Sequence, residues 1–282
     1  MMLRAFLSLV VAAQALCGCA SPRATWVREG FKTSCPARPA FAEAASANAA
    51  GLDDLVWSPW GTEETGWRVY APAVAAEIRT RCGPESQAFA ATLARWQARR
   101  ALAADGRMSA AAFERMKTGW QARRSFVALR AQGVCPDPPA ELMHVGEDEP
   151  LMAKDVLVTP PTLKALRALR TRAARELKLK PGDPTLAVFS AFRSPDYDAE
   201  RCAREQNCNG VVRALCSAHR TGAALDLTLG AAPGYEVDSS AGPNRLHQTQ
   251  TPAYRWLVAH ARRYGFANYV FEPWHWEWGP AS

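Results

Sequence analysis

Three residues in the last quarter of the chain, His219, Asp226 and His275, combine the types and surroundings of metal ligands. Asp226 lies in the run from Ala224 to Leu229, where Leu225, Leu227 and Leu229 alternate with Ala224, Asp226 and Thr228. In an extended strand the leucines face one way, and the other face presents a carboxylate between small side chains. The terminal segment repeats the logic. Trp274, Trp276 and Trp278 alternate with His275 and Glu277, giving a bulky apolar face, read as core, and a polar one. His219 does not follow from strand parity, but Gly222 permits a tight bend that folds the imidazole back over the strand. Two imidazoles and a carboxylate suit zinc (Zn2+), and three protein ligands leave the open fourth position of a catalytic site. Of two nearby carboxylates, Glu277 shares the His275 face in a regular strand, whereas Glu272 precedes Pro273 at a turn. His144, His247 and His260 read as surface or packed histidines.

Positioning these groups requires a small sheet. Short apolar runs at Leu186 to Phe189, Ala224 to Leu229 and Trp274 to Trp278 read as strands. A helix capped by Thr159 with Pro160 at its first position turns Leu163, Leu166 and Leu177 toward them. A last helix starts near Thr251 and Pro252 and stops at Gly265. Residues 151–282 are therefore expected to form an α+β catalytic domain with a small antiparallel sheet and flanking helices. Upstream, Phe89, Leu93 and Trp96 share one helix face, and Phe113, Met116 and Trp120 repeat the spacing behind a Ser109 cap. This predicts a small all-α bundle over 51–134, with helices starting near Ala71, Glu85 and Ser109. The Pro-rich stretch and acidic run of 135–150 read as a linker, and the Ala, Ser and Pro of 19–50 as a flexible tether.

Together the motifs carry a resemblance. Ser217-x-His219-x-x-Gly222-x-Ala224-x-Asp226, with Glu272-x-x-His275 downstream and Ser190-x-Phe192-Arg193-Ser194 upstream, resembles the D-alanyl-D-alanine carboxypeptidase and dipeptidase family of zinc peptidases, the VanY-like enzymes. The resemblance implies that His219, Asp226 and His275 hold zinc, that Glu272 is the catalytic base, and that Arg193 contacts the substrate or the transition state. Its guanidinium fork suits a peptide carboxylate or a developing oxyanion equally. Glu277, Ser217 and Asp196 are candidates for hydrogen-bonding around the ligands. The substrates implied are peptidoglycan stem peptides, cut at the terminal D-alanyl-D-alanine bond. An L,D- or D,D-endopeptidase and a non-catalytic wall-binding protein are the other readings, and a general base beside the ligands argues against the last. The bundle resembles peptidoglycan-binding domains through Phe89-Ala90-x-x-Leu93-Ala94-x-Trp96-Gln97, Asp105-Gly106-x-Met108-Ser109 and Phe113, with a plain spacer as the alternative.

The N-terminus and the cysteines point to export. Arg4 precedes a short run of apolar and small residues, as in a secretory signal over 1–18. Leu16-Cys17-Gly18-Cys19 resembles a lipobox, with Cys19 lipidated and Ala20 matching lipoproteins sorted to the outer membrane. Of eight cysteines, the six beyond that motif suit three disulfides, with a link expected among Cys202, Cys208 and Cys216. The formal charge of +7 is spread along the chain without an aromatic-basic module, which argues against a nucleic-acid partner. The expected protein is a lipid-anchored monomer on the periplasmic face.

Overall fold

The computed structural model describes residues 30–32, 34–133, 135–146, 155–206 and 216–280. The signal segment, Cys17, Cys19 and Cys208 lie outside them. The first region contains α1 (Ala42–Asp54), a hairpin of β1 (Val56–Trp57) and β2 (Glu64–Thr65), α2 (Ala71–Glu77), α3 (Gln87–Ala98), α4 (Ala110–Gln121) and α5 (Ser125–Arg130). Ser86 and Ser109 cap α3 and α4 by accepting from the Phe89 and Ala112 amides. The predicted faces meet: Phe89, Leu93, Trp96, Phe113, Met116 and Trp120 are buried with Trp57, Trp67 and Tyr70. Gly106, at φ +73°, turns the chain against α3, where a Cβ would lie 2.5 Å from the Ala90 carbonyl oxygen. Asn48 and Gln97 hydrogen-bond this turn.

Two expectations change here. The tether read over 19–50 gives way to α1 from Ala42 onward, because Ala44 and Ala45 pack closely on Ala90 of α3. The bundle is mostly rather than wholly helical, since it includes the β1–β2 hairpin. The large side chains behind the peptidoglycan-binding resemblance are core residues, so that resemblance concerns packing and not an exposed sugar platform.

The second region is mixed α+β. A hairpin of β3 (Met143–His144) and β4 (Leu157–Val158) leads into α6 (Pro160–Leu177). β5 (Val188–Ser190), β6 (Ala224–Leu227), β7 (Phe266–Asn268) and β8 (His275–Trp278) form one antiparallel sheet in the order β5-β6-β8-β7. It has one strand more than expected, β7. Helices α7 (Pro195–Glu205), α8 (Gly242–Gln250) and α9 (Pro252–His260) complete the region. Leu225, Leu227, Leu229 and Trp276 lie in the core with Leu163, Leu166 and Leu169 of α6, as the alternation requires. The linker read over 135–150 is also corrected: Met143 and His144 pair with β4, and Val145 is buried in the sheet core.

Disulfides join Cys35 to Cys82 and Cys135 to Cys216. Cys216 therefore pairs far along the chain and not with its near neighbours. Cys202 is disulfide-bonded as well.

The two regions interlock through the β7–β8 loop. Val270 is buried in the aromatic core of the helical region, and Trp60 meets the rings of Tyr269 and Phe271 edge-on. Arg245 of α8, itself buried, pairs with Glu64 and hydrogen-bonds the Tyr70 hydroxyl. Its guanidinium lies 4.3 Å from the Phe271 ring centroid.

Candidate metal centre

Sheet register assembles the site. Ser190 of β5 stands opposite Asp226 of β6, and Asp226 opposite His275 of β8, so the three form a row across the strands. His219 reaches that row from a 3-10 turn, Ala218–Thr221, ended by Gly222 at φ +62°. The positive φ favours glycine here, and a Cβ would also press on Leu142 Cδ2 at 2.8 Å. The turn is fixed to the loop after β5 by the Arg193 amide, which donates to the His219 carbonyl. One ligand-type atom from each of His219, Asp226 and His275 lies within 4.8 Å of the other two, and all three residues are buried.

Hydrogen bonds select the tautomer of His219 and set the ring orientation of His275, which lies between two carboxylates. His219 Nδ1 is 2.6 Å from the Ala191 carbonyl oxygen, which can only accept, so the proton sits on Nδ1 and the Nε2 lone pair faces Asp226 at 3.3 Å. His275 Nε2 is 3.3 Å from Glu277 Oε1, which leaves Nδ1 directed at Asp226 Oδ1 at 3.0 Å. Both rings thus turn a nitrogen toward one carboxylate while an oxygen fixes the other nitrogen. This is the donor set and orientation that a zinc ion requires.

Electrostatics follow from burial and these partners. Burial lowers the His219 pKa to about 4 despite the attraction of Asp226. Burial opposes ionisation of Asp226, but the two histidines hold it well below the carboxylate range. For His275 burial favours the neutral ring, while hydrogen bonds to Asp226 and Glu277 raise its pKa to about 9 when no cation shares the site.

The two glutamates differ in their engagement. Glu277 is buried and fully used: Arg124 pairs with Oε1 at 2.6 Å, the Phe126 amide donates to Oε2 at 3.0 Å, and His275 shares Oε1. Burial would raise its pKa, but His275 and Arg124 bring it down to about 2. Among the described residues the Glu272 carboxylate has no hydrogen-bond donor. Burial raises its pKa; the charges of His275, Arg193 and Arg124 oppose that rise and the charge of Asp226 adds to it. Arg193 donates to Ser190 Oγ and, from Nη2, to Asp226 Oδ2 at 3.1 Å, leaving Nη1 without a protein acceptor among the described residues.

With this geometry in view, residues 157–281 match the family model described as VanY, D-alanyl-D-alanine carboxypeptidase. That stretch is a VanY-like domain. Among solved structures the chain is similar to the LdcB LD-carboxypeptidase, at 20% identity over 51% of this chain and 71% of that one, with a TM-score of 0.37. No curated protein matches the chain.

Around the VanY-like cluster, other expected residues fall in different places. Asp196 is exposed on the first turn of α7. Asp198, two residues on, is the inward carboxylate, and Ser217 hydrogen-bonds it at 3.3 Å without touching the ligand trio. Asn268 binds the carbonyls of Glu272 and His275 through its amide while its oxygen accepts from Tyr254, fixing the turn between Glu272 and His275. Asn268 was not anticipated, and neither was Arg124. The first lies in an unrecognised strand, and the second is 153 residues from its partner.

Proposed function

We propose that the protein is a zinc-dependent peptidase that hydrolyses the terminal D-alanyl-D-alanine bond of peptidoglycan stem peptides. The observation that carries this reading is the pair of histidines oriented to direct one nitrogen each at Asp226, with a glutamate nearby in sequence, Glu272, whose carboxylate has no hydrogen-bond donor among the described residues. His219 Nε2, the Asp226 carboxylate and His275 Nδ1 would hold the metal. Zinc in such a site supplies Lewis acidity, acidifying water and polarising a carbonyl. Glu272 accepts the proton of the attacking water at its carboxylate and delivers it to the leaving amine nitrogen. Its raised pKa suits both halves of that exchange. Glu277 is already held by three donors, so it orients His275 and does not act as the base.

Arg193 favours a carboxypeptidase over an endopeptidase. Its Nη2 edge is held by Ser190 and Asp226, while the side chain keeps 21% exposure and, among the described residues, Nη1 has no acceptor and can bind a C-terminal carboxylate. The same reading sets the enzyme outside the cytoplasm, anchored through Cys19. Its support is the charged and apolar start of the chain, the Leu16-Cys17-Gly18-Cys19 motif and the disulfides.

The test is to incubate zinc-loaded protein with defined pentapeptide muropeptides and weigh the products. Loss of one alanine is the expected result. Interior cleavage would replace the carboxypeptidase with an endopeptidase, and intact substrate despite bound zinc would reject the enzymatic reading.

A further inference from the structure

The helical region reaches Glu277, beside His275, through the Arg124 side chain and the Phe126 amide. Arg124 lies between α4 and α5, only 9% exposed, and its guanidinium is divided among three partners. Nε and Nη2 both reach Glu277 Oε1, at 2.7 and 2.6 Å, while Nη1 donates to Gln121 Oε1 at 2.9 Å. The guanidinium also lies 4.1 Å over the Tyr269 ring. Beside it, the Phe126 amide at the start of α5 takes the other Glu277 oxygen, and Ser125 Oγ donates to the Trp278 carbonyl at 3.0 Å. Among the described residues, every donor to Glu277 other than His275 therefore comes from the helical region, and the carboxylate they hold is the one that faces His275 Nε2.

We propose that Arg124 is a positioning residue for the metal centre, acting through Glu277 to hold His275 with Nδ1 turned to the metal. This rests on the reading of His219, Asp226 and His275 as zinc ligands. The chain of contacts runs Gln121, Arg124, Glu277, His275, Asp226, and each link after the first fixes the rotation of the next group. Without Arg124 the Glu277 carboxylate loses its fork-like donor and is free to rotate toward the Phe126 amide alone. His275 then lacks the acceptor that sets its ring angle. Lysine at this position supplies the charge, but not donors to Glu277 and Gln121 in one plane. The helical region is thus a structural part of the catalytic centre.

The experiment measures zinc affinity of the full-length protein by competition with a chelating dye, alongside kcat and KM on a pentapeptide. Arg124→Ala is expected to weaken zinc binding by about 10–100-fold and to lower kcat while KM stays unchanged. Arg124→Lys is expected to recover part of the zinc affinity. In a Glu277→Gln background, Arg124→Ala is expected to add little, because both act on one link. Arg123→Ala, next in the chain but paired with Glu77, is the control that keeps wild-type affinity. If Arg124→Ala fails to fold, Arg124→Lys and Glu277→Gln carry the test. Wild-type zinc affinity in Arg124→Ala, additivity with Glu277→Gln, or an equal loss in Arg123→Ala would overturn the inference. A wild-type protein that binds no zinc would instead reject the underlying reading of the ligands.

Discussion

Each region of the molecule encloses a carboxylate among nitrogen groups, and the two enclosures differ in what those nitrogens can do. In the helical region Glu77, with 10% of its side chain exposed, accepts from the indole nitrogens of Trp96 and Trp120 and from Arg100 and Arg123. Burial opposes its ionisation, but Arg123, Trp96 and Arg100 hold its pKa below the ordinary value. In the sheet region Asp226 is surrounded by His219, His275 and Arg193. Indole and guanidinium nitrogens only donate, so Glu77 can be nothing but a structural knot. An imidazole can turn a lone pair toward a cation, so Asp226 is able to share one. Donor type, together with the deeper burial of Asp226, separates the two.

The sharpest way to break this contrast is to change each carboxylate in turn. Asp226→Asn is expected to lose all zinc on dialysis, and activity with it, whereas Glu77→Gln keeps a full complement by metal analysis. Zinc loss in both variants would erase the distinction. Next in size, Glu272→Gln is expected to reduce turnover by about 10²–10⁴-fold with zinc retained. Because burial raises the Glu272 pKa and the base must be ionised, activity falls with decreasing pH at a higher pH than an ordinary carboxylate would give. A kcat/KM profile against pH reads this.

Stability tests sharpen the comparison further. Leu93→Ala in the helical core and Leu166→Ala in the sheet core are each expected to cost about 2–5 kcal/mol. Since Val270 joins the β7–β8 loop to the helical core, a single denaturation transition should move in both variants. Two separate transitions would show independent units. The smallest effect belongs to Glu77→Gln, which at neutral pH is expected to cost about 1.5–3 kcal/mol in urea denaturation. Its folded-state pKa is lowered, so its contribution is present above the unfolded value, about 4.3, and is lost as pH falls through the folded one. The gap between wild type and variant should therefore close in acid.

Much of this arrangement is legible in the sequence where a period carries it. The alternation of leucines around Asp226 and of tryptophans around His275 specifies both strands and the face each ligand occupies. The shared faces of α3 and α4 follow in the same way from the spacing of Phe89 and Phe113. The alanine-rich stretch that becomes α1 is ambiguous, because alanine serves a loose tether and a close helix contact equally well. Its packing on Ala90 decides. Residues 143–145 look like a linker since so short a strand has almost no pattern of its own. The choice between Glu272 and Glu277 was unreachable locally: parity favours Glu277, yet Arg124 and Phe126, distant in sequence, occupy it.

The Cys135–Cys216 bridge has a consequence in time as well as in space. It joins the chain just ahead of the turn that carries His219, and Arg220 of that turn donates to Cys135 Sγ. His219, which no strand supplies, is thus tethered by a bond that forms only on oxidation. A chain kept reduced lacks that tether, so closing the thiols and placing this imidazole are coupled events.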